Sequence, residues 1–542
     1  MRKRTPLTRR TRLAVLAAVA FCLAGWGGAA AAEKAKRRQT ADRGKVEEAS
    51  VKDKMLSAFR PITPDEFRGK NEEKPLSLQD VVQTVLRNNH DIRVAFHRPD
   101  QARAGIMEAK AAYDPEAFAE WQHTRNENPA SYELGRRIDS EYKNDTERAG
   151  VRQHVPSGGT VSVYREWNRG TERNSGYDKQ RGHGGGWVVE LAQPLLNGFG
   201  DKENRTVIQI SRLQLDISEE EVRLAVLKSM ADSIEAYWSA ALADREVEIA
   251  TETLNMAENL LSRERERQKK GVSTPLDVHR ASEAVATRTN NLMNAREQRL
   301  NAQERLKLLL NAPSAPIGTD VRIVVTEDVE TPLVKADVNK SIDTALANRP
   351  EMRNADLAIR TGEARRGYAK HNLLPQLSVG GSVRRNDNHS STPTSTSSTD
   401  TTGLDWSLGV SFSVPIGNMK PRAVLRRAES ELSQSIDEKQ NTRSYIITEV
   451  KMAAQTLDLL VGQIPVSAEA VEAAKKVVDG EWARLELNQV GNRDLLQAQD
   501  LLAVAERSRI QTLIRYNVAM ARLLAAEGTL LDHMGIKVIA PR

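Results

Sequence analysis

The sequence predicts two copies of one unit. Each unit joins strands of a membrane β-barrel to a very long helical hairpin of a coiled-coil barrel, and the whole closes by oligomerisation. Three observations predict this. Seventy residues between Gly200 and Gly271 contain no Gly or Pro and carry apolar residues at three- and four-residue steps, among them Leu213, Ile217, Val222, Val226 and Met230, the pattern of one helix about 105 Å long at about 1.5 Å per residue. Leu404, Trp406, Leu408, Val410, Phe412 and Val414 alternate with Asp405, Ser407, Gly409, Ser411 and Ser413, which is the period of a strand with lipid on one side and water on the other. Finally, Val82 to Arg93 recurs as Ile342 to Arg353, every position displaced by 260, and Pro115 matches Pro375 at the same offset.

Taken in order, residues 1–32 have the three parts of a secretory signal. Arg2, Lys3, Arg4, Arg9, Arg10 and Arg12 precede an apolar run from Leu13 to Leu23, and Ala30 and Ala32 suit the −3 and −1 positions of a cleavage site. These six basic residues account for the whole formal charge of +6, so the basic pI is no argument for nucleic acid. The only cysteine, Cys22, lies in the apolar run; the mature chain is expected to lack disulfides, thiolate nucleophiles and zinc-binding sulfur. Phe21 stands where lipidation needs a small residue. No run of 18 apolar residues comes after Ala32, so a membrane crossing must be by a closed barrel. Residues 33–75 are charged and without apolar period, and read as a flexible leader.

The first unit spans 76–330 and the second 331–530, with 531–542 as a tail. Each is expected to hold a helix ending near Pro115 or Pro375, two barrel strands, and a helical hairpin. The strands are Ala117 to His123 and Trp187 to Gln193 in the first unit, and Gln376 to Arg384 and Leu404 to Val414 in the second, where Asn386 to Thr402 reads as the connecting loop. Leu276 to Ala312 returns antiparallel to the long helix. In the second hairpin Arg422 to Val461 is clean, but Gly462, Pro465 and Gly480 interrupt the next stretch, so a kink is expected near Pro465 before Asn492 to Glu527. Four strands per chain cannot close a barrel whose smallest members have eight, so the chain needs copies of itself.

The first unit holds 39 extra residues between Pro115 and Pro194. Val151 to Val155, the turn Pro156-Ser-Gly-Gly159, and Thr160 to Trp167 read as an added hairpin, either two more barrel strands or an extracellular ribbon. The ribbon is favoured because Arg152, Arg165 and Glu166 suit water. His183-Gly-Gly-Gly186 resembles an oxyanion-loop motif, but it is read as a Gly-rich loop before a strand, and the chain has no Gly-x-Ser-x-Gly elbow. No cofactor is expected, and the nine histidines lack the helical spacing of a metal pair.

Gln193-Pro-Leu-Leu-Asn-Gly-Phe-Gly200, its counterpart Val414-Pro-Ile-Gly-Asn418, the Leu76 to Arg93 opening, Gly271-Val-Ser-Thr-Pro-Leu-Asp277-Val and Asp494-Leu-Leu-Gln-Ala-Gln499 together resemble the TolC family of outer-membrane channel-tunnels, over about Leu76 to Gly528. The resemblance implies a homotrimer whose protomers share one outer-membrane barrel and one periplasmic helical tunnel. It implies a passive conduit of a tripartite efflux pump or type I secretion system, with a periplasmic adaptor and an inner-membrane transporter docking at the tips and outer-membrane lipid around the barrel. The alternative is a periplasmic coiled-coil adaptor or scaffold, which would not need the strands. A secreted hydrolase fails for want of a nucleophile constellation.

At the first tip Thr274 can cap the returning helix, Pro275 suits its first turn, and Asp277 completes a capping box; at the second, Asn492 and Asp494 can do the same. The resemblance adds that the tips form the mouth, where an acid at Asp277 helps hold it shut and an acid at Asp494 lines the constriction. Asp277 could also pair with Arg493 across tips. The chain departs from the family at Gln497 and Asn488. Six positions separate Gly271 from Asp277 but three separate Gly491 from Asp494, which reads as a shortened second tip.

Overall fold

The computed structural model describes residues 73–536, apart from 134–135, 175–179, 328, 330–331, 392–397, 488 and 490. The expected signal at 1–32, nearly all of the leader and the end of the tail lie outside the described residues. The first described element is β1 (Glu73–Leu76), which begins three residues before the expected start at Leu76 and pairs parallel with β6 (Arg322–Val325).

Two short-helix pairs repeat each other in length. Helices α1 (Leu78–Asn88) and α2 (His90–Ala111) have 11 and 22 residues, and α6 (Val338–Asn348) and α7 (Pro350–His371) have the same. Local chemistry starts α1: the Ser77 hydroxyl accepts from the amide of Asp80 at 3.2 Å while the Asp80 carboxylate accepts from the Ser77 amide at 3.3 Å. Asn89 caps α2 by accepting from the Asp91 and Ile92 amides. A one-turn helix, α3 (Asp201–Asn204), then leads into α4 (Thr206–Lys269), a single helix of 64 residues.

Helix α4 turns back as α5 (Pro275–Leu310); α8 (Met419–Glu486) turns back as α9 (Asn492–Glu527), and a short α10 (Leu530–His533) closes the series. The interruption expected around Gly462, Pro465 and Gly480 does not break α8, which runs on for 68 residues with Pro465 inside it. Burial explains the continuity. Leu457, Leu460, Val471 and Val478 on either side of the proline are all buried against neighbours, and packing over many turns outweighs one lost backbone bond of roughly 3 kcal/mol.

The largest core lies midway along the helices, where Val81, Val85, Met230, Tyr237, Leu306, Leu310 and Ile323 pack together. Small residues make this closeness possible: Ala236, Ala240 and Ala241 of α4 are buried beside Tyr237 and Trp238.

All strands after β1 except β6 form one antiparallel sheet of order β2-β3-β4-β5-β7-β8. Its members are β2 (Glu116–Glu133), β3 (Arg136–His154), β4 (Thr160–Asn174), β5 (Gln180–Pro194), β7 (Gln376–Ser391) and β8 (Ser398–Ser413). The sheet corrects three expectations. The added hairpin is not a ribbon standing clear of it: β3 pairs with β2 and β4, and β4 with β3 and β5, so among the described residues this sheet holds six strands where four were expected. Charge did not exclude it, because alternation sends Glu166 and Arg165 to opposite faces, and Glu166 is matched by Arg148 at 2.8 Å and Arg384 at 2.7 Å.

The stretch Asn386 to Thr402 is not all loop, since Asn386 to Ser391 pair with Ser398 to Gly403; ladder bonds are made by the backbone and do not need apolar side chains. His183 to Gly186 likewise lie inside β5. The glycines there serve close approach: a Cβ at Gly185 would collide with the Glu166 carbonyl oxygen and one at Gly186 with that of Arg385.

Candidate functional site at the hairpin tips

The two hairpins end together. At the first tip Gly271 adopts φ +72, the Val272 amide donates to the Arg267 carbonyl at 3.0 Å and the Gly271 amide to that of Gln268 at 3.0 Å, a Schellman closure that needs a left-handed residue at this point. The Ser273 hydroxyl bonds the buried Glu264 carboxylate. Thr274 then caps α5 with its hydroxyl accepting from the Asp277 amide at 3.3 Å, Pro275 opens the helix, and the Asp277 carboxylate accepts from the Thr274 amide at 3.2 Å and from its hydroxyl at 2.6 Å.

The second tip is arranged differently from expectation. Gly491 is the cap position of α9 at φ −83, without a side-chain cap, and Asn492 is the first helical residue. Gly491 therefore corresponds to Thr274, not to Gly271, and the loops between α4 and α5 and between α8 and α9 have equal length. The second tip is not shortened. The glycine match misled because Gly271 turns the chain in a left-handed conformation while Gly491 is extended backbone any residue adopts. Aligned in this way, Asp277 and Asp494 hold the same position, three residues past the cap.

They do different things. Asp277 is engaged by Thr274, with Arg280 at 3.8 Å as its charged neighbour; within the chain it is not paired with Arg493. Asp494 and Arg493 are both exposed at the start of α9. Asn492, only 2% exposed, does not cap its own helix: its side-chain amide donates to the Asp277 carbonyl at 2.8 Å and joins the two tips. Arg263 and Arg267 of α4 reach α8, Arg263 bonding Glu486 and lying over the Trp482 ring, Arg267 donating to the Leu485 carbonyl.

Arg288 of α5 was not singled out by sequence reasoning. It is 4% exposed and donates to Gln499 at 2.9 Å, to Asp500 at 3.0 Å and to the Thr253 carbonyl at 3.1 Å, tying α5 to α9 and α4. Its signal was present: Ala281, Ala284, Leu292 and Ala295, the other members of its helical stripe, are all buried. No group of His, Cys, Asp and Glu that could hold a metal occurs among the described residues. The arrangement holds the two tips together through Asn492 and leaves the Asp494 carboxylate exposed beside them.

The family model described as "Outer membrane efflux protein" matches residues 81–312 and 341–529. The chain belongs to the outer membrane efflux protein family. Its place is the outer membrane, and the family is one of efflux proteins. No described helix is long and apolar enough to cross a membrane. A curated relative, the pyoverdine export outer membrane protein OpmQ of Pseudomonas putida, is 26% identical over 164 residues, 30% of this chain; the match spans about a third (33%) of that protein. Among solved structures, a membrane protein from Pseudomonas aeruginosa matches with TM-score 0.63 and 20% identity, over 83% of this chain and 93% of that one. The Campylobacter jejuni CmeC outer membrane channel matches with TM-score 0.60 and 16% identity, over 86% and 87%. These likenesses concern the fold.

Proposed function

We propose that three copies of this efflux-family chain close into one duct, a β-barrel in the outer membrane continued by a helical tunnel, and that it conducts solutes passively between a periplasmic adaptor with its inner-membrane transporter and the outside. The observation that carries the reading is the sheet's pair of open edges. Strands β2 and β8 each have a neighbour on one side only; β2 leaves the helical end and β8 returns to it, so β8 of one copy meets β2 of the next in antiparallel sense. The face that would meet lipid is apolar and exposed in the single chain, with Trp406 at 74%. Such edges and such a face demand partners.

The helices support the same closure. Tyr445, Met452, Leu459 and Val466 stand exposed along α8 at seven-residue steps, Leu459 at 76%, the spacing of a seam awaiting another helix. Two repeats, 76–330 and 331–530, then supply alternate hairpins around the tunnel. The tips form its mouth, with Gly271, Thr274, Pro275, Gly491 and Asn492 shaping the docking rim and Asp494, Asp277 and Arg493 the constriction. The test is the mass of the unboiled, detergent-extracted assembly, together with disulfide trapping between cysteines placed at Ala119 on β2 and Val410 on β8. Three linked chains are expected. A soluble monomer in periplasmic extracts would overturn the reading.

A further inference from the structure

The outward face of the sheet changes chemistry at one row. Val163, Val189 and Val383 are cross-strand partners on β4, β5 and β7, and two residues farther from the helices the same partners are Arg165, Trp187 and Arg385. Two arginines thus flank one tryptophan where the apolar band ends. The Arg165 guanidinium lies 5.8 Å from the centre of the Trp187 ring and 5.5 Å from that of Trp167, so it is held on this face. Its Nε is buried without a hydrogen-bond partner. Among the described residues neither Arg165 nor Arg385 has a carboxylate within ion-pair distance, although Glu166 and Arg384, their neighbours on the opposite face, are paired. Asp387 is the one acid that comes next on β7, paired across the ladder with Gly185.

Tryptophans at the margin of an apolar band mark the headgroup level of a bilayer. An unpaired guanidinium at that depth is costly unless an anion meets it, and the planar donors of arginine fit a phosphate bidentately. The site also adjoins the apolar rows directly, so its anion should carry acyl chains. We propose that Arg165 and Arg385, with Trp187 between them, hold a phosphate of an anionic lipid of the outer leaflet. The proposal rests on the reading of this sheet as a lipid-facing wall.

The experiment uses the delipidated, detergent-extracted assembly, whose mass is checked first, so that a failure of the duct reading appears before any lipid is added. Diphosphorylated lipid A, its dephosphorylated form and inorganic phosphate are then titrated against tryptophan fluorescence and native mass. The phosphorylated lipid should bind, the dephosphorylated one should not, and millimolar inorganic phosphate should not displace it. Arg165→Gln and Arg385→Gln should each weaken binding about tenfold, the loss of one charge-assisted bond, while Arg152→Gln on the other face leaves it unchanged. Arg385 is exposed, so its variant should assemble normally and decides the matter: unchanged affinity in Arg385→Gln overturns the proposal. Inorganic phosphate binding with the same arginine dependence also overturns it, since the site would then serve a soluble anion.

Discussion

Asp277 and Asp494 occupy equivalent positions, yet only Asp277 is consumed by its own helix. Asp277→Ala removes a reciprocal cap at 3.2 and 3.3 Å and should cost the first tip about 1 kcal/mol, read as faster amide exchange over α5's first turn. Asp494→Asn should leave exchange unchanged and instead lower the cation preference of single channels in planar bilayers, because a ring of like carboxylates about one axis attracts cations. Equal selectivity in both proteins would place the constriction elsewhere. A second carboxyl gives a pH dependence. Burial pushes Asp244 of α4 above the usual carboxylate range, only partly offset by Arg322 at 3.0 Å. A raised folded pKa means that its contribution to stability is fully present below the unfolded value of about 4 and is lost as pH rises through the folded one. Wild type should therefore lose stability relative to Asp244→Asn as pH rises above about 4 in chemical denaturation; parallel curves would refute the burial argument. Thr274, Pro275 and Asp277 were legible in the sequence because capping is decided within a few residues. For Arg288 the stripe of Ala281, Ala284, Leu292 and Ala295 marked a buried face, but not what the arginine meets there, because its partner Gln499 lies 211 positions away.

At the scale of elements, length and type were readable where the hydrophobic period was long, as in α4 and α5, and unreadable where backbone pairing or packing overrode composition. Ser- and Thr-rich segments of β7 and β8 look like loop by residue type, but each continues a ladder already in register, so the added cost of pairing is small. Helix α8 passes Pro465 for the converse reason: the buried contacts of Leu457, Leu460 and Val471 hold both sides of the break. The joint between α5 and α9 depends in the same way on a distant contact. Arg288→Met keeps the length but strands Gln499, whose side-chain nitrogen is already without a partner, and loosens α9 from α5. Asp500 is 70% exposed and stays solvated without its partner, so the loss falls on the bonds to Gln499 and the Thr253 carbonyl, about 2 kcal/mol, and the variant should raise the opening frequency of single channels and lower the thermal midpoint. A change in midpoint alone, with gating untouched, would make Arg288 a packing residue with no part in the mouth.

At the scale of the whole molecule, the strand period and the helix lengths made one antiparallel sheet and two long helical hairpins legible, but not how many strands the sheet holds. Of the two readings open for the added hairpin, composition favoured a ribbon in water, whereas the structure sets β3 and β4 inside the sheet, each with a neighbour on both sides. In the proposed trimer six strands from each chain make eighteen, and barrel diameter grows roughly in proportion to strand number, with sixteen to eighteen leaving an aqueous channel. The polar face of this sheet agrees with a wet interior: Ser378 bonds Ser411, Ser382 bonds Ser407, and Glu166 is clamped by Arg148 and Arg384. In the proposed trimer an eighteen-stranded barrel would be the wide end, so size selection would fall to the tips. The sequence holds one cysteine, Cys22, so an introduced thiol is read directly against the unsubstituted protein. Ser382→Cys on the polar face should react from outside the cell with a polymer-linked maleimide of about 2 kDa, a size that an aqueous channel of this strand number admits. Ser273→Cys at the tip should stay unmodified by the same reagent while the mouth is closed. If Ser382→Cys accepts only small maleimides, the lumen is narrower than eighteen strands imply, and either the closure or the strand count per turn of the barrel is wrong.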